Sequence, residues 1–146
     1  MFLQIAIGSG LLVLNVLVMA LAALVLEIGF RAAHSWLIRP PQRPKLLLML
    51  VVVGLWVLLT LTVGIWMWAY VLFETGVFKT MEESAYFAIE AFSTLGLGDV
   101  IPKQEWRILA AMAAVNGLLS FGLMTALLVE AMRQVRIAQL ERRHKS

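Results

Sequence analysis

Apolar residues run through this chain in long blocks that no charge interrupts. Residues 1–26, 46–73 and 108–129 contain no Asp, Glu, Lys or Arg. Each block is long enough, at about 1.5 Å of rise per residue, to cross roughly 30 Å of hydrocarbon as a helix. A shorter apolar stretch behaves differently. Thr80-Met81-Glu82-Glu83 has the form of a capping box, with Thr80 at the N-cap and Glu83 reaching back. Glu82 and Glu83 also suit the positive end of a helix dipole. The helix predicted over 81–92, carrying Tyr86, Phe87, Ile89 and Phe92, is roughly 18 Å long, too short to span. A short apolar helix that enters the bilayer and turns back is tolerated only where protein or water surrounds its irregular exit.

The pattern predicts an all-α membrane protein with three transmembrane helices and one re-entrant helix. Residues 1–30 form the first spanning helix and 31–45 a basic connection. Residues 46–130 form a module of an outer helix (46–73), the re-entrant helix (81–92), a loop (94–99) and an inner helix (106–130). Residues 131–146 form a basic tail, with a helical continuation as one option. Arg39-Pro40-Pro41-Gln42-Arg43-Pro44-Lys45 cannot be helical throughout, because proline lacks the amide donor and restricts the residue before it. Residues 31–38 either continue the first helix or lie along the membrane surface. Ala20-Leu21-Ala22 has the spacing of a signal-peptide cleavage site, but no basic residue precedes the apolar stretch, which is also too long, so a retained helix is expected. Asn15 within it reads as a helix–helix hydrogen bond.

Composition agrees with lipid as the solvent. The 146 residues are 62% hydrophobic and 14% charged, where a soluble domain carries about 25% charged. A net charge of +3 and a pI near 9.7 raise nucleic acid as a partner, but basic residues of a membrane protein mark cytoplasmic flanks, and no nucleic acid is expected. Arg31, Arg39, Arg43 and Lys45 flank the first connection, and Arg133, Arg136, Arg142, Arg143 and Lys145 follow the third span. Both regions are expected in the cytoplasm, with the N-terminus and the acidic stretch of Glu74, Glu82, Glu83, Glu90, Asp99 and Glu105 outside. Trp66, Trp68, Tyr70 and Trp106 are then expected in an outer aromatic belt, and Trp36 at the inner interface. There is no cysteine, so disulfides and thiolate metal sites are excluded. His34 and His144 form neither a ligand pair nor a catalytic base.

The chemistry concentrates in Ser93-Thr94-Leu95-Gly96-Leu97-Gly98-Asp99. A chain that points successive carbonyls along one line must alternate between backbone regions, and Gly96 and Gly98 permit positive φ at low steric cost. Leu95 and Leu97 are then expected to turn away and pack behind the loop. The carbonyls of Thr94, Leu95, Gly96 and Leu97, with the Thr94 hydroxyl, would face a common axis. Several such loops around that axis can replace the water shell of a cation.

Thr94-Leu95-Gly96-Leu97-Gly98-Asp99 resembles the TVGYGD signature of potassium channels. The resemblance extends to the preceding re-entrant helix and to Gly117-Leu118-Leu119-Ser120-Phe121-Gly122-Leu123-Met124-Thr125-Ala126, similar to the inner helix of simple bacterial potassium channels. It covers residues 46–130 and leaves the first span as an addition. It implies a homotetramer in a bacterial plasma membrane, with K+ as the conducted ion held at Thr94, Leu95, Gly96, Leu97 and Gly98, and no cofactor. One loop cannot surround an ion, which agrees with a closed ring of copies.

Leu97 stands where the family usually has tyrosine, and leucine packs but cannot hydrogen-bond; the filter is therefore expected to be more deformable. Glu90 and Asp99 match positions where, in some members, two acids pair behind the filter. Such a pair would share a proton and make the filter sensitive to external acid; the plainer reading has Glu90 facing a water pocket. Gly117 matches the position called the glycine hinge, and Gly122 follows it; both also read as sites of close helix approach. Leu118, Phe121, Thr125 and Val129 recur on one helix face and are expected to line an inner cavity. Glu130 either attracts cations at the cytoplasmic mouth or pairs with Arg133. No span carries the regular arginines of a voltage sensor, and the gating stimulus is not legible. Two alternatives stand beside a selective channel: a weakly selective cation pore, and a non-conducting accessory or scaffold protein with the channel fold. An enzyme is not expected, since the membrane segments lack a metal-ligand set, a Ser-His arrangement or a nucleotide loop.

Overall fold

The computed structural model describes residues 2–38 and 42–145, with side chains at 2–33, 44, 45, 47–134, 136 and 137. Its elements are α1 (Phe2–Ile38), α2 (Gln42–Glu74), α3 (Met81–Phe92), a single 3-10 turn at Gln104–Trp106, and α4 (Arg107–Lys145). Among the described residues there is no strand. Three helical stretches are long and apolar enough to cross a membrane: Phe2–Ala33, Leu47–Glu74 and Gln104–Gln134. Together with α3 they make the all-helical architecture that the charge-free blocks predict.

α1 continues through residues 31–38. α2 begins at Gln42 and takes in Pro44. Proline is tolerated there because amides of the first turn have no intrahelical acceptor to lose. The elbow residues 39–41 lie outside the described residues. α4 does not stop near residue 130 but runs on to Lys145.

The packing follows seams of three- and four-residue spacing. On α1 the buried positions are Gly8, Leu11, Asn15, Met19 and Ala22; on α4 they include Leu109, Ala113, Asn116, Ser120 and Met124. The Gln4 side-chain amide donates to the Glu105 carbonyl at one end, and Met19 clusters with Leu61 and Met124 further along. α1 and α4 therefore run in the same direction. α2 runs against them: Gly64 lies beside Asn15, while Trp56 Nε1 donates to the Ala22 carbonyl at 3.0 Å. α3 sits between α2 and α4 on a core of Trp68, Leu72, Ala88, Phe92, Leu109 and Ala113.

That core corrects one expectation. Trp68 is fully buried, because it shares a face of α2 with Leu61, Gly64 and Leu72, and that face turns inward. Trp66 and Tyr70 are exposed, as lipid-facing belt residues should be, and Trp106 packs partly against the core. The Trp36 side chain lies outside the described residues.

Candidate functional site

α3 starts and ends on identifiable bonds. Thr80 is the N-cap, in extended backbone, and its hydroxyl accepts from the Glu83 amide at 3.1 Å. The Glu83 carboxylate reaches back one residue further than a capping box predicts, accepting from the Lys79 amide at 3.1 Å. Phe78 and Phe87 hold the entry with ring centroids 5.0 Å apart.

At the other end, the Leu95 amide donates to the Glu90 carbonyl at 3.1 Å and the Thr94 amide to the Ala91 carbonyl at 3.1 Å. These are the two bonds of a Schellman closure, and they put Thr94 at the position that takes left-handed backbone. Its φ is +57°. Glycine is the usual occupant, and a β-branched residue with positive φ is an outlier that costs about 1–3 kcal/mol. The alternation continues: Gly96 has φ +57° and Gly98 φ +79°. The sequence pointed to the two glycines; the residue type of Thr94 argued against the same conformation there.

Glu90 is 5% exposed, and its Oε1 accepts from the Leu97 amide at 2.9 Å. One residue thus holds two amides of the loop: Leu95 through its carbonyl and Leu97 through its carboxylate. Asp99 is held differently. The Tyr86 hydroxyl donates to its Oδ2 at 3.0 Å, and the Val100 amide to its Oδ1 at 3.1 Å. Glu90 and Asp99 hence use separate partners within the chain. The bond to Asp99 raises the Tyr86 phenol above its ordinary pKa, and burial and the nearby Asp99 and Glu90 carboxylates act in the same sense. Sequence reasoning did not single out Tyr86. The available signal was its four-residue spacing from Glu90, which puts both on one face of α3.

Leu95 and Leu97 are 64% and 63% exposed, so among the described residues they face outward instead of packing behind the loop. A cavity of about 450 Å³ lies behind the loop, lined by Phe87 and Glu90 of α3, Thr94 and Gly96, and Arg107 and Ala110 of α4. On α4, Leu118, Phe121, Thr125 and Val129 are all exposed on one face. The two glycines of that helix separate. A Cβ on Gly117 would stand 2.3 Å from the Phe92 Cα, whereas one on Gly122 would meet nothing within 4 Å. Close approach is therefore a physical requirement at Gly117. Glu130 is bonded to Arg133 at 2.8 Å and to Gln134 at 3.1 Å.

A family model described as "Ion channel" matches residues 46–134. That is more than half the chain, and the chain belongs to this ion channel family. The match takes in α2, α3, the loop and most of α4, and leaves α1 outside. With three helices able to span, the protein is a multi-pass membrane protein whose family moves ions. No curated protein and no solved structure matches it.

Proposed function

We propose that this protein conducts K+ passively through a filter formed by residues 94–99 from four copies of the chain. The observation that carries the reading is the backbone of the loop. Positive φ at Thr94, Gly96 and Gly98 alternates with negative φ between them, the arrangement a row of axial carbonyls requires. Threonine at a strained position supports it further, because a residue kept against its backbone preference is kept for its side chain; here the hydroxyl would complete the innermost ion site. The carbonyls of Leu95, Gly96 and Leu97 would form the remaining sites, with Glu90, Asp99 and Tyr86 bracing the loop from behind.

Several copies are needed, since one loop cannot enclose an ion. The exposed Leu95 and Leu97 and the uncovered face of Leu118, Phe121, Thr125 and Val129 are apolar surface that neighbouring copies would cover or gather around a cavity. A closed ring of four follows the family resemblance. Basic flanks support a cytoplasmic C-terminus and an outward-facing loop, and the family resemblance supports a plasma membrane of bacterial type.

A second reading, a weakly selective cation pore, is favoured by Leu97, which has no hydroxyl and is exposed. Flux through purified protein in liposomes, with Na+ replacing K+ on one side, separates the two. A reversal potential at the K+ value supports the selective channel. A value near zero with robust current supports the weakly selective pore. No current under any voltage or pH, with the oligomer intact, supports the accessory or scaffold role.

A further inference from the structure

α1 lies outside the matched module, yet it is tied into the part that carries the loop. Asn15, Asn116 and Ser120 are each fully buried. The Asn15 Nδ2 donates to the Asn116 Oδ1 at 3.0 Å and to the Ser120 Oγ at 2.9 Å. The Ser120 hydroxyl donates in turn to the Asn116 carbonyl at 2.6 Å. Polar side chains between helices in a hydrocarbon setting find few other partners, so these bonds set the register of α1 on α4.

The position of the cluster matters more than its strength. Asn116 is followed by Gly117, which packs on the Phe92 main chain, and Phe92 ends α3 two residues before Thr94. On the opposite side, a Cβ at Gly64 would stand 2.7 Å from Asn15 Oδ1 and 3.3 Å from Phe92 Cε1. Asn15, Gly64 and Phe92 therefore meet at one point, and Gly117, next to Asn116, meets Phe92 from α4. α4 cannot move away from Phe92 at Gly117 without breaking the Asn15 bonds or dragging α1 with it.

We infer that Asn15 is a positioning residue for conduction: through Asn116 and Ser120 it clamps α4 against the end of the pore helix and so controls how readily α4 bends beside the filter. This rests on the channel reading above. A purely packing role for α1 predicts a less stable oligomer with unchanged gating. The clamp predicts a change in gating with the oligomer intact.

The test uses the full chain and Asn15→Leu, which keeps the side-chain shape and removes the donor. Two quantities are read: single-channel open probability in planar bilayers, and hydrogen exchange of the α4 amides at residues 117–122. The clamp predicts a shift in the open-to-closed ratio of about three- to tenfold, the range expected for losing one or two such bonds, and faster exchange at 117–122. It also predicts that Asn15→Leu combined with Ser120→Ala shifts the ratio by less than the product of the two single effects. Wild-type open probability and wild-type exchange in an intact Asn15→Leu oligomer overturn the inference. If the wild-type protein carries no current, the channel reading fails, and exchange at 117–122 alone decides whether the clamp on α4 exists. If Asn15→Leu does not assemble, Ser120→Ala, which removes the hydroxyl that accepts from Asn15 and donates to the Asn116 carbonyl, takes its place: a shifted ratio with faster exchange supports the clamp, and wild-type values of both overturn it.

Discussion

α2 and α3 end on the same pair of hydrogen bonds but with different residues at the left-handed position. After α2, the Val77 amide donates to the Leu72 carbonyl and the Gly76 amide to the Phe73 carbonyl, with Gly76 at φ +70°. After α3, Leu95 and Thr94 make the equivalent bonds to Glu90 and Ala91, with Thr94 at φ +57°. A turn that merely reverses the chain takes glycine, as α2 does. Threonine in the same geometry carries strain without improving the closure. The difference separates a helix end built on the usual residue from one built on a strained residue, and strained backbone of this kind clusters at functional sites.

Substitutions at four positions break or sharpen that contrast. The largest effect is expected from Gly96→Ala. A Cβ there meets nothing within 4 Å, so the whole cost is the left-handed backbone, about 1–2 kcal/mol per copy. Ion flux in liposomes should be lost while size-exclusion chromatography still shows the wild-type oligomer. Thr94→Gly should come next. It relieves the strain, so the oligomer should unfold no earlier than wild type, but the K+/Na+ permeability ratio from reversal potentials should fall at least tenfold, since every copy loses its hydroxyl and a total of about 1.4 kcal/mol already gives that factor. A stable variant with unchanged selectivity would remove the case for the Thr94 side chain.

Glu90→Ala should lower single-channel conductance several-fold, because the Leu97 amide loses its side-chain acceptor, a bond worth about 0.5–1.5 kcal/mol. Glu90→Gln retains an acceptor and should stay much closer to wild type; equal effects from both would point to the charge instead of the bond. The smallest functional effect is expected from Gly76→Thr, which gives α2 the ending of α3. Thermal unfolding should show a loss of about 1–2 kcal/mol, with permeability ratios unchanged.

Much of this architecture is legible in the sequence, because its strongest signals are local. Uncharged blocks mark the spans, Thr80 and Glu83 mark the start of α3, and Gly96 and Gly98 mark the positive-φ positions. What stays hidden depends on pairs of residues far apart in sequence or on a residue acting against type. Asn15 is readable as a helix–helix contact, but its partners Asn116 and Ser120 are not. Gly117 allows a bending and a packing role, and only the closeness of Phe92 supplies the second. Trp68 reads as an interface residue because composition cannot say which face of α2 turns inward. Glu90 and Asp99 suggest a mutual pair, while the loop gives each a nearer donor.

The grip on Phe92 also bears on the order in which the protein can be made. Its ring rests near Gly64 of α2 and its main chain against Gly117 of α4, while Asn15 waits for partners 101 and 105 residues later in the chain. Asn15 of α1 therefore reaches these bonding partners only after α4 has been made. Until α4 is in place, α3 lacks the wall of its seat that Gly117 supplies, although Glu90 and Tyr86 already hold the loop. A nascent chain halted before residue 117 would hold α1 and α2 without the helix that packs on the Phe92 main chain.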